Sequence, residues 1–178
     1  MTIGQSYSKK MIPSLSMRIN IVEKPMRQKV RLRNIELHFE QVRYLMHELK
    51  NILPFTEENL KTMAFSQKAL CDSLLYRFAM IQDTLGGKIL PLIIDMTKEK
   101  TVYLTFIDKL HFLERLHIVD DAYEWSDIRD LRNAIAHVYE PTPQEQANSL
   151  NKIYKALPIL EECFKRIKKR LAEISDGQ

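Results

Sequence analysis

The sequence predicts an all-α protein, an antiparallel up-and-down helical bundle of four long helices with one or two short ones. Three observations point that way. From Pro25 onward apolar residues recur mostly at three- and four-residue steps, the period of a helix with one buried face. Helix-start signals stand ahead of several of these stretches. The 178 residues hold only 4 Gly and 7 Pro, too few to supply the turns of a many-stranded fold. Apolar residues at 45% and charged residues at 28% are ordinary for a globular domain of this length.

Residues 1–24 read as an N-terminal extension of unknown function, and 25–178 as the bundle. Within the extension, Met17-Arg18-Ile19-Asn20-Ile21-Val22 alternates like a short strand, although no partner strand is evident. Pro25 is placed to open the first helix, which Pro54 stops near Leu53. Its apolar stripe is Val30, Phe39, Val42, Leu45, Met46, Leu49 and Ile52. Thr56, followed by Glu57 and Glu58, caps a second helix carrying Leu60, Met63, Leu70, Leu74, Phe78 and Ile81. Gly86-Gly87 reads as its C-terminal stop. Lys88 to Tyr103 is less legible, with Pro91 inside an apolar run. Thr105 with Asp108 starts a short helix, and Asp121 with Glu124 starts the next. Thr142-Pro143-Gln144-Glu145 is the strongest start signal, opening a last helix towards Ile174 that bends at Pro158.

Composition narrows the function classes. No apolar run is long enough to span a membrane, and Pro13, Arg18 and Asn20 interrupt the only stretch that resembles a signal peptide. Cys71 and Cys163 form no metal or disulfide spacing and read as buried reduced thiols of a cytoplasmic protein. A formal charge of +4 is mildly favourable to a polyanion and decides nothing. The cations Lys165, Arg166, Lys168, Lys169 and Arg170 read as a solvated helix face before they read as an RNA grip. His38, His47, His111 and His117 lack metal-ligand spacing, so no metal and no cofactor is expected.

One helix is different. On a wheel of Asp127 to Glu140, Ile128, Leu131, Ile135 and Val138 fall towards the core. Arg129, Arg132, Asn133, His137, Tyr139 and Glu140 fall on the other side around Ala136. Asn133 and His137 are four apart and therefore stacked. A solvated amphipathic helix would tolerate the same residue types, so spacing alone leaves both readings open.

The run Arg132-Asn133-Ala134-Ile135-Ala136-His137-Val138-Tyr139 resembles the Arg-x4-His-x-Tyr motif of HEPN domains, most of all the HepT-like ribonuclease toxins and the nucleotidyltransferase substrate-binding proteins. Thr105 to Glu140 and Tyr76 to Lys88 are also similar to that group. The resemblance implies a helical bundle, a homodimer meeting through its Arg/His faces (here Ala136 and Arg129), and metal-independent cleavage of RNA such as tRNA. It also implies a nucleotidyltransferase antitoxin that adenylylates the motif tyrosine, Tyr139. That ring has a plainer alternative, packing over Ala136 with its hydroxyl in water. The chemistry suits the residues. Histidine is the side-chain type whose unperturbed titration falls near neutral pH, so His137 is the expected acid or base. Arg132, always charged, stabilises the phosphorane, and Asn133 orients the imidazole or donates to phosphate. The competing expectation is a non-catalytic module that binds a nucleotidyltransferase or presents its substrate.

Overall fold

The computed structural model describes the backbone of residues 15–97, 104–137 and 140–176, and side chains of 26–97, 104–137 and 140–173. The chain forms two compact units, Met1–Asn34 and Ile35–Gln178, and the candidate site lies in the second. Among the described residues all regular structure is helical, as an all-α bundle requires. The four long helices are α1 (Leu15–Leu49), α3 (Phe65–Thr84), α6 (Ala122–His137) and α7 (Pro143–Asp176). Shorter pieces are α2 (Glu57–Thr62), α4 (Leu90–Met96) and α5 (Phe106–Arg115).

Three expectations are corrected. The segment read as strand-like, Met17 to Val22, is helical, and Pro25 lies ten residues inside α1 instead of opening it. Proline gives up the hydrogen bond of its own nitrogen and crowds the carbonyl four residues back, but helix on both sides carries the turn across. The single helix expected from Thr56 to Gly86 breaks at Met63 and Ala64, both extended. There the Thr62 hydroxyl turns back onto the Glu58 carbonyl at 3.0 Å, while Gln67 Oε1 takes the Ala64 N–H at 3.2 Å to start α3.

The third correction lies at Gly86-Gly87, where the chain does not stop. It widens into a π-helical turn, Leu85–Ile89, and continues as α4. Neither glycine has positive φ, so the left-handed cap that would have ended the helix is not formed. Pro91, in the first turn of α4, explains the widening. Its ring would meet the carbonyl four residues back in a regular α-turn, and the π-turn just ahead moves that carbonyl.

Other start signals behave as read. Thr56 with Asn59, and Thr105 with Asp108, form reciprocal capping boxes. Glu145 Oε2 accepts from the Thr142 N–H at 2.9 Å, while Thr142 Oγ1 accepts from Glu145 N at 3.3 Å. The Thr142 N–H, and the Thr142 hydroxyl donating to the same Oε2 at 2.8 Å, hold the Glu145 carboxyl below its ordinary range, and its stabilising charge is lost only as pH falls through that lowered value.

The core gathers on α7. Ala147, Leu150, Ile153, Leu157, Leu160, Phe164, Ile167 and Leu171 are buried at three- and four-residue steps, one continuous stripe facing α2, α3 and α6. Pro158 lies within this helix on its exposed side. Phe164 stacks on Phe39 of α1, 5.6 Å between centroids. Asn151 of α7 brackets Phe55, accepting its N–H at 2.9 Å and donating to its carbonyl at 2.8 Å, which ties down the connection before α2. Cys71 and Cys163 are free and buried; burial pushes their thiols up to about 11 and about 12 respectively, so neither is a ready nucleophile.

Candidate active site on α6

α6 starts where Asp121 Oδ1 accepts the N–H groups of Tyr123 at 2.7 Å and Glu124 at 2.9 Å. Its buried residues are Ala122, Trp125 and Ile128. This turns the helix relative to the wheel of Asp127 to Glu140. Trp125 and Arg132 are seven residues apart, two turns along the same side, so Arg132 continues the buried stripe and does not oppose it. Of the residues expected to face the core, Ile128 is buried, while Leu131 and Ile135 are half-buried, as Arg132 is.

Arg132 is accordingly held inside the fold. Its side chain is 28% exposed, and Nη2 donates to Asp83 Oδ2 of α3 at 2.5 Å. Its Nε is buried without a partner among the described residues. Asn133, half-buried, faces a groove of about 270 Å³ between α6, the end of α3 and the start of α5. Arg129 is exposed and lays its guanidinium carbon 3.9 Å from the centre of the Phe106 ring, which also lines that groove. Ala136 and His137 are exposed, and among the described residues the His137 ring has no hydrogen-bond partner. Val138 and Tyr139 lie outside the described residues, so the tyrosine read as a modification site has no geometry here.

The fold therefore brings Asn133 and Arg129 to one groove, with Arg132 bonded to Asp83 of its lining and His137 one turn beyond Asn133, open to solvent. It also brings in residues that sequence reasoning gave no role. Asp83 fixes the guanidinium, and Gln82 lies beside it, only 4% exposed, the one buried polar residue among those described. A signal for Gln82 existed: it falls on the apolar stripe of Leu74, Phe78, Ile81 and Leu85, where a polar side chain is out of place. Gly86 sits over the Gln82 amide. A Cβ there would lie 3.1 Å from Gln82 Nε2 and 3.8 Å from Trp125 Cζ2, so glycine keeps the space. The indole N–H of Trp125 is likewise buried without a partner among the described residues.

The opposite flank of α6 is another place. A groove of about 720 Å³ runs between α6 and α7, with an apolar floor that includes Leu131, Ala134 and Ala156. Glu124, Asp127 and Asp130 edge it on α6, Lys152 and Lys155 on α7.

The cations of α7 are largely neutralised. Lys165 pairs with Glu162, Arg166 with Asp120, Lys168 with Glu36 and Arg170 with Glu173. His38 lies 3.0 Å from Arg77 and His111 is bonded to Glu114 at 2.9 Å. Among the described residues no three His, Cys, Asp or Glu side chains are grouped to hold a metal ion. Among the described residues, too, no helix is long and apolar enough to cross a membrane. No family model, curated protein or solved structure matches this chain.

Proposed function

We propose that the chain is a HEPN-type, metal-independent endoribonuclease acting at the end of α6, as the toxin of a HEPN/nucleotidyltransferase pair or a related defence module in the cytoplasm. The observation that carries the reading is the division of labour on two helical turns. Arg132 is half-buried and fixed by Asp83, while His137 is free and exposed one turn beyond Asn133. A clamped guanidinium suits a phosphate that must be held still, and a solvated imidazole suits proton transfer. His137 takes the proton of the 2′-hydroxyl. The 2′-oxygen attacks phosphorus, the bond to the 5′-oxygen breaks, and a proton is given to that leaving oxygen. The N–H groups of Arg132 not used by Asp83 bind the non-bridging oxygens as charge accumulates. RNA such as tRNA qualifies as substrate and DNA does not, because only RNA carries the nucleophile.

A single copy supplies one histidine. Arg132 and His137, five residues apart, also project roughly 140° apart around the helix. A homodimer meeting through Ala136 and Arg129 answers both points, since the two motifs then form one site: one copy's His137 takes the 2′-hydroxyl proton, the other copy's protonated His137 gives one to the leaving 5′-oxygen, and each His137 faces the other copy's Arg132. Tyr139, two residues beyond, is the position a nucleotidyltransferase antitoxin would modify with AMP. The test is cleavage of total RNA by purified protein. His137→Ala should lower the rate by roughly a hundredfold or more. Arg132→Ala should do the same. Cleavage should persist in EDTA and leave 2′,3′-cyclic phosphate ends; loss of activity on chelation removes the mechanism.

A second reading keeps the fold and drops the chemistry. The Asp83 ion pair partly satisfies Arg132 without any ligand, and the groove against α7 is the larger of the two flanking α6. Both favour a non-catalytic module that binds a nucleotidyltransferase or presents its substrate. RNA left intact by the wild-type protein, with the partner captured in stoichiometric amount, would establish this instead.

A further inference from the structure

Around the π-turn the interior keeps polar groups that the fold does not use. Gln82 is only 4% exposed. A polar residue so buried is uncommon among core positions. This amide is not sealed into the core: Gln82 lines the groove of about 270 Å³, along with Asp83, Gly86, Gly87, Phe106 and Asn133. Arg132 Nε and Trp125 Nε1 are the orphaned donors nearby.

The other walls point to the shape of what fits. The guanidinium carbon of Arg129 lies 3.9 Å from the centre of the Phe106 ring, a cation–π pair that gives the groove an aromatic and a cationic wall. Gly87 has nothing within 4 Å of where a Cβ would sit, and Gly86 bears no side chain, so a ligand approaches the backbone closely. A π-turn of this kind recurs at functional sites because it displaces backbone groups from their regular ladder. The volume falls just below the range of roughly 300–1,000 Å³ for drug-sized ligands, which suits one small planar ring system.

We propose that this groove is a pocket for a single RNA base, in which Phe106 and Arg129 stack on its face while the Gln82 and Asn133 amides read its edge. Carboxamides offer donor and acceptor side by side, the pattern base edges display. Unpaired bases of single-stranded RNA are bound in this manner, by stacking with hydrogen bonds to their edges. The choice of RNA as carrier rests on the nuclease reading, and deepens it: the pocket adjoins Arg132, so the base it holds selects which phosphate is presented for cleavage.

The chain's only tryptophan, Trp125, lies under Gly86 and serves as the reporter. The full chain is titrated with each of the four ribonucleoside 5′-monophosphates, and with ribose 5-phosphate, by tryptophan fluorescence and calorimetry together. Saturable binding that differs among the four bases, with ribose 5-phosphate much weaker, is expected. Phe106→Ala, at a partly exposed ring, should weaken it roughly tenfold. Gln82→Met keeps the volume and removes both amide groups; it should level the preference among bases without lowering the melting temperature. No binding of any nucleotide by either method overturns the pocket, as does equal affinity for ribose 5-phosphate or full affinity in folded Phe106→Ala. RNA cleavage is assayed on the same protein. Nucleotide binding without cleavage keeps the pocket and removes the nuclease; cleavage without nucleotide binding does the reverse.

Discussion

The two flanks of α6 are built on opposite principles although one helix supplies both. Towards α3 the contact is narrow and polar, with an arginine–aspartate pair, a buried glutamine and two orphaned N–H donors around a π-turn. Towards α7 the groove is wide, floored by leucine, isoleucine and alanine, and charged only at its edges. The first arrangement is costly unless something pairs with it, which is how ligand sites differ from cores. The second resembles a surface that a protein partner covers, with apolar centre and polar rim. A helix of this composition is therefore not amphipathic in the simple sense, since a polar, ion-paired side of it borders the core.

The largest effect expected from probing this contrast concerns assembly. Ala136→Arg should split the homodimer and abolish RNA cleavage with helical content intact, whereas Ala134→Arg, on the α7 flank, should leave both unchanged. Sedimentation at micromolar concentration decides it. The reverse pattern would move the interface between copies to the wide groove, and a wild-type monomer that cuts RNA would remove the shared-site mechanism.

Next comes packing. Trp125 is 1% exposed and sits between α3 and α6. Trp125→Ala should cost roughly 3–5 kcal/mol in urea unfolding, the range for deleting a large buried ring. A loss below about 1 kcal/mol would mean that the seam is loose. A smaller effect separates two carboxylates. Asp83→Asn keeps the shape but removes the charge holding Arg132, and with both partners partly solvated should cost only about 1 kcal/mol of stability. Cleavage should nevertheless drop roughly tenfold, because the guanidinium loses its fixed position. Asp127→Asn on the other flank should stay within about 0.5 kcal/mol and leave the rate alone.

The smallest effect lies away from both flanks. Burial, and after it the charge of Arg77, holds the His38 pKa below its usual value of 6.5. The unfolded chain therefore binds this proton more readily than the folded one. Stability is full above about pH 6.5 and declines as pH falls towards the folded value. The urea midpoint should drop slightly across that window, and His38→Gln should flatten it. A midpoint that rises on acidification would contradict the assignment.

Much of the local structure is legible in the chain alone. Capping boxes at Thr56, Thr105 and Thr142 are encoded by residues three apart, and the stripe of α7 by simple periodicity; both depend on neighbours in the chain. Arg132, Asn133 and His137 also stand out there, as residue types suited to RNA. The orientation of α6 is not legible in the same way. A wheel drawn from Asp127 leaves out Ala122 and Trp125, and so turns the buried side away from Arg132. Gly86-Gly87 misleads for another reason: glycine permits a left-handed stop but does not require one, and Pro91 just beyond makes a wide turn the better solution.

By itself, then, the amino-acid order determined the all-helical class, the starts of α2, α5, α6 and α7, and the set of polar residues on the last two turns of α6. Those depend on hydrogen bonds and periodicity within a few residues. Only the tertiary structure decided that Arg132 is clamped by Asp83, 49 residues away, that Gln82 is buried at the edge of a groove, and that His137 stands apart in solvent. Such pairings depend on which helix faces which. That is fixed by the packing of Trp125 and Ile128 against the rest of the core, and no spacing along the chain specifies it.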